Sequence, residues 1–253
     1  RHAGLDTAHL DAWLPVPRVI AFAGHLIDRP SRPNPRFPAH LEAAVRLAIE
    51  QRLAAVGPAI GFAAAACGAD LIFLELMRAR GADTHIVLPY GPEQFVPDSV
   101  DYLPGTRWRV RFDTAVRKAS QVISASDHRL GDGGMSYEYG FRVLDGEAAM
   151  HADKLDTELV CVAVWDGLPG DGPGGTASSV AHWRQAGRRV EVIDLAAVRA
   201  AYDAEHHAVA PTLAPHAEFA EAPAGGEAGT THSAEADAAR VDRHPQGPDT
   251  VGA

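Results

Sequence analysis

The sequence is poor in cysteine and contains no long apolar segment. Its two cysteines, Cys67 and Cys161, are too few for a disulfide framework and are typical of a reducing compartment. No stretch reaches the run of about 20 apolar residues that a membrane-spanning helix needs, and the N-terminus lacks the basic and apolar regions of a signal peptide. We therefore expect a cytoplasmic protein with no membrane span.

Positive charge is also scarce in this chain. There are 23 lysines and arginines against 33 aspartates and glutamates, which gives a formal net charge of -10. Proteins that bind nucleic acids usually carry a basic patch that neutralises phosphates, and no such patch is visible in the sequence. The composition therefore predicts that the chain has no nucleic-acid partner.

The length and composition are those of a globular protein. With 253 residues, of which 46% are hydrophobic and 22% charged, the chain has room for one large domain or two small ones. From about residue 208 onward, proline, glycine, alanine and acidic residues replace the aliphatic ones, so we predict a disordered tail or interdomain linker over residues 208–253. The folded domain is predicted over residues 5–207. Because the chain begins at Arg1 rather than at a methionine, we also expect it to be part of a longer protein.

Short apolar runs alternate with longer amphipathic ones along this domain. The runs lack the polar alternation of half-exposed strands, which is typical of strands buried on both faces of a parallel sheet. Strands are predicted over residues 18–23, 59–64, 85–88, 121–124, 159–165 and 190–194. Helices are predicted over residues 37–56, 69–80, 107–118, 136–151, 177–186 and 195–206. This alternation predicts an α/β fold, a Rossmann-like three-layer sandwich with a mainly parallel sheet of about six strands.

The segments that follow the strands are longer and more polar than the segments that precede them. They cover residues 24–38, 65–68, 89–104, 125–134 and 166–176. In a parallel sheet all of these segments lie at the carboxyl ends of the strands, where open α/β folds bind their ligands. We therefore expect the functional site at this edge.

The glycine-rich segment before the fifth predicted helix has the character of a phosphate-binding loop. Its candidate ligand-binding residues are Gly172, Gly174, Gly175 and Thr176, since glycines let backbone N–H groups approach an anion and a helix N-terminus favours negative charge. No lysine follows the glycines, so the segment is not a Walker A loop. The alternative is a flexible loop with an ordinary threonine N-cap.

Two further turns at this edge hold candidate ligand-binding residues. Gly24, His25, Asp28 and Arg29 follow the first strand, where the histidine and the arginine are suited to a phosphate. The alternative is a polar loop that bonds only to itself.

The second turn, after the second strand, contains Cys67, Gly68 and Asp70 among small residues. Small residues permit the close approach of a ligand, and they equally permit tight packing of a helix on the sheet. A helix N-terminus can lower the pKa of a thiol, but no histidine partner is evident near Cys67, and an ordinary small residue is the favoured interpretation.

Three carboxylates complete the set of candidate residues. Glu75, in an otherwise apolar stretch, is suited to ribose hydroxyls, or it pairs with Arg78. Glu138 either faces the site or pairs with Arg142 four residues on. Asp166 ends the fifth strand, where it meets a ligand hydroxyl or begins a turn. The histidines have no metal-binding spacing, so no metal site is expected.

Taken together, these motifs resemble the SLOG superfamily of Rossmann-like domains, which includes the LOG phosphoribohydrolases and the DprA proteins. The resemblance rests on the segments 22–25, 66–70 with Glu75, and 173–176. From about residue 19 to residue 195 the chain is similar to a bacterial module found beside adenylate/guanylate cyclase and other signalling domains. The resemblance implies a nucleotide or nucleotide-derived ligand at the carboxyl edge of the sheet.

One departure from the family bears on catalysis. LOG enzymes have a catalytic glutamate three residues after the threonine of the phosphate loop, where this chain has Ser179. The leading hypothesis is therefore a sensory domain that binds a nucleotide-like signal and regulates an attached or neighbouring effector, such as a downstream cyclase. The alternative is a nucleotide N-glycosidic hydrolase in which Glu75, Glu138 or Asp166 supplies the carboxylate. A third hypothesis is an interaction scaffold with a vestigial cleft.

Overall fold

The computed structural model describes residues 16–131, 134–170 and 174–208. Gly172, the first residues of the predicted domain and, apart from Ala208, the predicted tail lie outside the described residues. Within the described part, no helix is both long enough and apolar enough to cross a membrane.

The centre of the fold is a sheet of six parallel strands. They are β1 (Arg18–Gly24), β2 (Ala59–Ala63), β3 (Thr84–Leu88), β4 (Gln121–Ser124), β5 (Leu159–Trp165) and β6 (Val190–Asp194). Their order across the sheet is β4-β3-β2-β1-β5-β6, and every pair of neighbours is parallel. The predicted α/β fold is confirmed.

Helices connect the strands and cover both faces of the sheet. They are α1 (Glu42–Val56), α2 (Ala69–Ala79), α3 (Pro92–Ser99), α4 (Trp108–Lys118), α5 (Gly134–Lys154), α6 (Thr176–Gln185) and α7 (Leu195–Ala208), with a short 3-10 turn (Ala39–Leu41) before α1. The first helix begins later than predicted because Pro38 holds the backbone extended there. Helix α3 was predicted as loop; a proline in its first turn favours a helix start, and Phe95 and Val96 are buried.

Alternate residues of the central strands point into two separate cores. Ile20 and Phe22 of β1 pack in one core with α1, α2, α4 and α7, and the Phe22 ring stacks on Phe73 with centroids 4.2 Å apart. Val19 and Ala21 pack in the other core with α5 and α6. Strands that are apolar on both faces therefore give three layers, as the sequence pattern predicts.

The strand order creates a switch point between β1 and β5. From β1 the chain crosses over to β2 on one side of the sheet, and from β5 it crosses over to β6 on the other side. Because the two connections diverge, a crevice opens outside the carboxyl ends of β1 and β5, which is where open α/β sheets bind ligands.

Candidate functional site

A cavity of about 820 Å³ lies in the crevice at the carboxyl ends of β1 and β5. Its walls come from the segment after β1, the turn between β2 and α2, and the N-terminal turns of α5 and α6. The predicted residues that line it are Gly24, His25, Asp28, Arg29, Asp70, Gly174, Gly175 and Thr176. The structure thus brings together most of the residues that the sequence placed at this edge.

The turn after β2 is shaped by close packing of the chain on itself. Gly68 has a φ of 109°, and a Cβ there would lie 2.7 Å from the carbonyl oxygen of His25. Gly24 packs in the same way, since a Cβ on it would lie 2.3 Å from the Cβ of Ala69. Small residues therefore serve helix-sheet packing in this turn, which is the second of the two interpretations that the sequence left open.

Cys67 is fully buried in that turn and does not line the cavity. Burial raises the pKa of its thiol to about 11. Both of its backbone polar groups form hydrogen bonds. The N–H donates to the carbonyl of Ser99 (2.8 Å), and the carbonyl accepts from the N–H of Ile27 (3.2 Å). These contacts and the raised pKa are typical of a packed structural residue, which is the interpretation that the sequence favours for this thiol.

The segment after β1 folds into a loop that is closed by Asp28. The carboxylate oxygen Oδ2 of Asp28 accepts from the backbone N–H groups of Arg36 and Phe37, both at 2.6 Å. The N–H of Asp28 donates to the carbonyl of Phe37 at 2.8 Å. Asp28 thus fixes the two ends of the loop. Between them, the Arg29 guanidinium carbon lies 4.7 Å from the ring centroid of Tyr102.

His25 and Asp166 join the ends of β1 and β5. The imidazole Nε2 of His25 lies 3.2 Å from Oδ1 of Asp166, and Nε of Arg36 lies 3.4 Å from Oδ2 of the same carboxylate. Burial lowers the pKa of His25, although Asp166 works against this. Burial alone would raise the pKa of Asp166, but the N–H of Leu168, His25 and Arg36 hold it below its usual value.

Asp166 lines a neighbouring cavity rather than the first one. This second cavity, of about 710 Å³, also borders Arg32, Arg36 and Arg199. Arg32, Pro33 and Arg36 line both cavities, so this part of the loop forms the wall between them.

The N-terminus of α6 opens on the cavity. Gly174 has a φ of 81°, and a Cβ there would lie 2.5 Å from the Cβ of Tyr137 and 2.6 Å from the N of Glu138 on α5. A glycine is required to seat this segment against α5. The N-cap, Gly175, has no side chain, and Thr176 and Ser179 of the first turn line the cavity. The first turn of α6 thus presents a positive helix end to the cavity.

Asp70 is the buried carboxyl group of the cavity. It stands in the first turn of α2, with 6% of its surface exposed. Its Oδ2 accepts from the N–H of Ala66 at 3.3 Å, while its Oδ1 has no hydrogen-bond partner among the described residues. Burial raises the pKa of Asp70 to about 7, although the backbone N–H groups of Ala66 and Gly24 offset part of this rise.

Two predicted carboxylates do not line the cavity. Glu75 lies where α2 meets α1 and α4: it contacts Arg46, and its Oε1 accepts from Nε of Arg111 at 2.6 Å. These two cations outweigh the effect of burial and lower the pKa of Glu75. Glu138 is exposed and pairs with Arg142 at 2.9 Å. The structure therefore places both carboxylates in ion pairs with arginines and not at the wall of this cavity.

Other cavity residues gave no signal in the sequence. The hydroxyl of Tyr137 lies 2.8 Å from Oγ of Ser99, and the Tyr90 hydroxyl donates to Oδ2 of Asp98 at 2.8 Å. Ser99, Asp98 and Tyr137 line the cavity, as do Tyr102 and Arg36. Ser99 and Tyr137 meet because α3 packs beside the N-terminal turn of α5, and no motif in the sequence marks either residue.

The chain was also compared with known proteins. No family model matches it, and no curated protein sequence matches it. Among solved structures it is similar to DNA processing protein A (DprA) from Streptococcus pneumoniae, with 13% identity and a TM-score of 0.30 over 69% of this chain and 58% of that one. DprA from Helicobacter pylori has 11% identity and a TM-score of 0.31, over 74% of this chain and 81% of that one.

The Moco Carrier Protein from Chlamydomonas reinhardtii is a further match, with 12% identity and a TM-score of 0.26, over 76% of this chain and 99% of that one. This chain spans 58% of the length of the S. pneumoniae protein. At these identities the likeness concerns the fold alone.

One sequence prediction is corrected by these matches. The net charge of the chain predicted no nucleic-acid partner, yet the H. pylori DprA is described by its single-stranded DNA binding mode. The exclusion was wrong because a net charge says nothing about local distribution: Arg29, Arg32 and Arg36 lie together at this cavity in a chain whose formal charge is -10.

Proposed function

We propose that the cavity at the carboxyl ends of β1 and β5 binds a nucleotide or a nucleotide-derived small molecule, and that its occupancy is passed to an attached or neighbouring effector domain. Ligand binding is supported above all by the position of the cavity, which lies at the switch point of the sheet and borders the N-terminus of α6. The second half is supported by the resemblance to modules found beside cyclase domains.

The end of the cavity nearest α6 suits a phosphate group. The helix has 10 residues, and no side chain of its glycine N-cap competes for the N–H groups of the first turn. Thr176 and Ser179 add hydroxyl groups at this end, and Arg29 adds a guanidinium elsewhere in the wall of the cavity, where it packs on Tyr102. Together they offer the helix dipole, hydrogen-bond donors and positive charge that phosphate binding uses.

The rest of the cavity suits a base and a sugar. Its volume of about 820 Å³ lies in the range of small-molecule sites. Phe22, Phe141 and Leu144 give it apolar surface, and the linked hydroxyls of Ser99 and Tyr137 give it a polar side. A nucleotide carries a phosphate, a polyhydroxylated sugar and a flat apolar base, and each has a matching surface here.

The positions of the carboxylates favour binding over N-glycosidic hydrolysis. Glu75 lies between two arginines outside the cavity, and Glu138 is exposed in an ion pair. Asp166 contacts His25 and Arg36 and borders the second cavity. A hydrolase of this kind needs a carboxylate beside the sugar to activate water or to stabilise an oxocarbenium ion, and none of these three is placed for that role.

Isothermal titration calorimetry on the purified chain tests the proposal. The probes are nucleoside mono- and triphosphates, cyclic nucleotides and a single-stranded oligonucleotide. We expect at least one mononucleotide to bind, and we expect Gly174→Ala to weaken that binding about tenfold or more, because the added methyl group displaces the N-terminus of α6 from α5.

Gly187→Ala is the matched control. Gly187 also has a left-handed backbone, with a φ of 69°, but a Cβ there meets nothing within 4 Å, and the residue does not line the cavity. Its substitution introduces the same backbone strain without moving the loop, so binding is expected to stay unchanged. If no mononucleotide binds, if only the oligonucleotide binds, or if both variants bind equally well, the proposal is wrong.

A further inference from the structure

We infer that Asp70 is a specificity-determining residue of the cavity, which accepts a hydrogen bond from an N–H group of the ligand. The ligand class is then a nucleotide whose base carries an exocyclic amino group, such as adenine, guanine or cytosine. The inference rests on the proposed function and adds to it the identity of the group that is recognised.

The surroundings of Asp70 are those of an incomplete polar site. The residue lines the cavity with only 6% of its surface exposed, and its Oδ2 accepts from the N–H of Ala66. Its Oδ1 has no partner within the described part of the chain, and no cation there pairs with it. A buried carboxyl oxygen without a donor is costly, and native proteins seldom retain one without a use.

The position of Asp70 in α2 does not account for the vacant oxygen. An acidic side chain in the first turn of a helix is stabilised by the helix dipole, but this effect needs no burial and leaves both oxygens free to meet water. Here the side chain is buried beside the end of β1, where the backbone N–H of Gly24 lowers the pKa of its carboxyl group. The oxygen is therefore placed for a donor that enters from the cavity.

The cavity is polarised between this carboxyl group and α6. A carboxylate attracts N–H donors and repels phosphate oxygens, whereas the N-terminus of α6 attracts phosphate. A nucleotide with an amino group satisfies both ends when the base is directed to Asp70. A base that lacks the exocyclic amino group, or carries a carbonyl oxygen in its place, leaves Asp70 without that donor, and sites of this kind discriminate strongly against such analogues.

The test compares nucleotides that differ in the amino group. The pairs are guanosine and inosine monophosphate, adenosine and purine-riboside monophosphate, and cytidine and uridine monophosphate, each titrated into the purified chain. We expect the amino-bearing member of at least one pair to bind about tenfold or more tightly, as one charge-assisted hydrogen bond allows. In Asp70→Asn we expect that ratio to fall below about twofold, because an amide lacks the charge that strengthens the bond.

Asp194→Asn is the matched control. Asp194 caps α7 by accepting from the N–H groups of Ala196 and Ala197, is exposed, and does not line the cavity. The same change of carboxylate to amide at this helix start is expected to leave every ratio at its wild-type value.

Proton release gives a readout that does not depend on a variant that folds. Because burial raises the pKa of Asp70 to about 7, part of the group is protonated at neutral pH, and an N–H donor drives it to the carboxylate. Calorimetry in two buffers of different ionisation enthalpy should show protons released when the amino-bearing nucleotide binds to the wild-type chain, and fewer when its partner binds.

The outcomes separate this inference from the proposed function. If nucleotides bind but wild-type protein shows no preference within any pair, or if Asp70→Asn keeps the preference, Asp70 does not read the amino group. If the preferred nucleotide binds without releasing more protons than its partner, the inference is also overturned. If no nucleotide binds at all, the proposed function itself fails.

Discussion

Two buried aspartates occupy opposite regions of the molecule and differ in what surrounds them. Asp145 lies between α5 and α6 and is 5% exposed, while Asp70 lies at the cavity and is 6% exposed. Asp145 accepts from Trp183 Nε1 at 2.9 Å, lies 3.1 Å from His182 Nε2, and contacts Arg188. Asp70 accepts from the N–H of Ala66, the N–H of Gly24 also lowers its pKa, and its Oδ1 has no hydrogen-bond partner among the described residues.

The difference separates a structural carboxylate from a functional one. Every donor of Asp145 comes from α6 or the turn after it, so the ion cluster ties α6 to α5 and leaves nothing for a ligand to satisfy. At Asp70 the fold leaves one oxygen without a donor, at the wall of a cavity. Burial alone therefore does not identify a binding residue; the unfilled hydrogen-bonding capacity does.

The largest expected effect on stability comes from removing the carboxylate of Asp145. Asp145→Ala leaves the Arg188 guanidinium and the Trp183 N–H without their acceptor, and we expect the free energy of unfolding to fall by about 3–5 kcal/mol, the usual cost of breaking a buried ion pair. Urea denaturation followed by circular dichroism measures this change.

A surface ion pair serves as the control for this change. Glu138→Ala removes the exposed contact with Arg142, and we expect less than about 0.5 kcal/mol of change. If Asp145→Ala were as mild as Glu138→Ala, the cluster around Asp145 would not be structural.

Replacing Asp70 is expected to raise the free energy of unfolding relative to wild type as the pH rises, whereas replacing Asp145 lowers it. The pKa of its side chain is raised to about 7 in the folded chain, so between about pH 4 and pH 7 the folded state holds a proton that the unfolded state has lost. Stability from this group is therefore fully present below pH 4 and is lost as the pH rises toward 7. We expect Asp70→Asn to be more stable relative to wild type at pH 8 than at pH 4, by about 4 kcal/mol, which is the pKa difference of about three units converted at 1.36 kcal/mol per unit.

The measurement is thermal or urea unfolding of both proteins at the two pH values. Asp194→Asn again controls for the loss of an acid at a helix start, and its effect should not follow the same trend. A difference between Asp70→Asn and wild type that is the same at both pH values would mean that the Asp70 carboxyl group is not perturbed in the folded chain.

The fold could be predicted from the sequence because its signal is local. Strands such as β5 are apolar on both faces, and this pattern places them in the middle of a parallel sheet without any knowledge of their neighbours. Helix α3 was missed since it is short, contains Pro97, and buries only a few residues, among them Phe95 and Val96. Its formation depends on packing against the rest of the fold, which no local pattern reports.

The site could be predicted only as far as its edge of the sheet. Gly24, Asp70 and Gly174 lie at the cavity because strand direction alone brings them there. Whether a carboxylate is free to contact a ligand, however, depends on side chains that are distant in sequence. Glu75 contacts Arg111, which is 36 residues away, and Asp166 contacts His25, which is 141 residues away. The sequence offered only Arg78 as a partner for Glu75, and the true partners come from other helices.

The smallest expected effect concerns the pKa of a histidine. Each of the two regions contains a contact between a histidine and an aspartate. His182 and Asp145 lie 3.1 Å apart, and His25 and Asp166 lie 3.2 Å apart, but only His25 lines the cavity. Asp166 holds the pKa of His25 up against burial and against the charge of Arg36. In Asp166→Asn we therefore expect that pKa to fall further, since only Asp28 then opposes the effects of burial and Arg36.

The imidazole resonances of His25, followed by NMR as the pH is lowered, measure this change. A pKa that stays constant or rises in Asp166→Asn would mean that the carboxylate does not act on the ring. If the pKa falls, His25 is neutral at neutral pH in both proteins and can accept a hydrogen bond as well as donate one. The positive charge available to a phosphate in the cavity then comes from Arg29, Arg32 and Arg36 and from the start of α6.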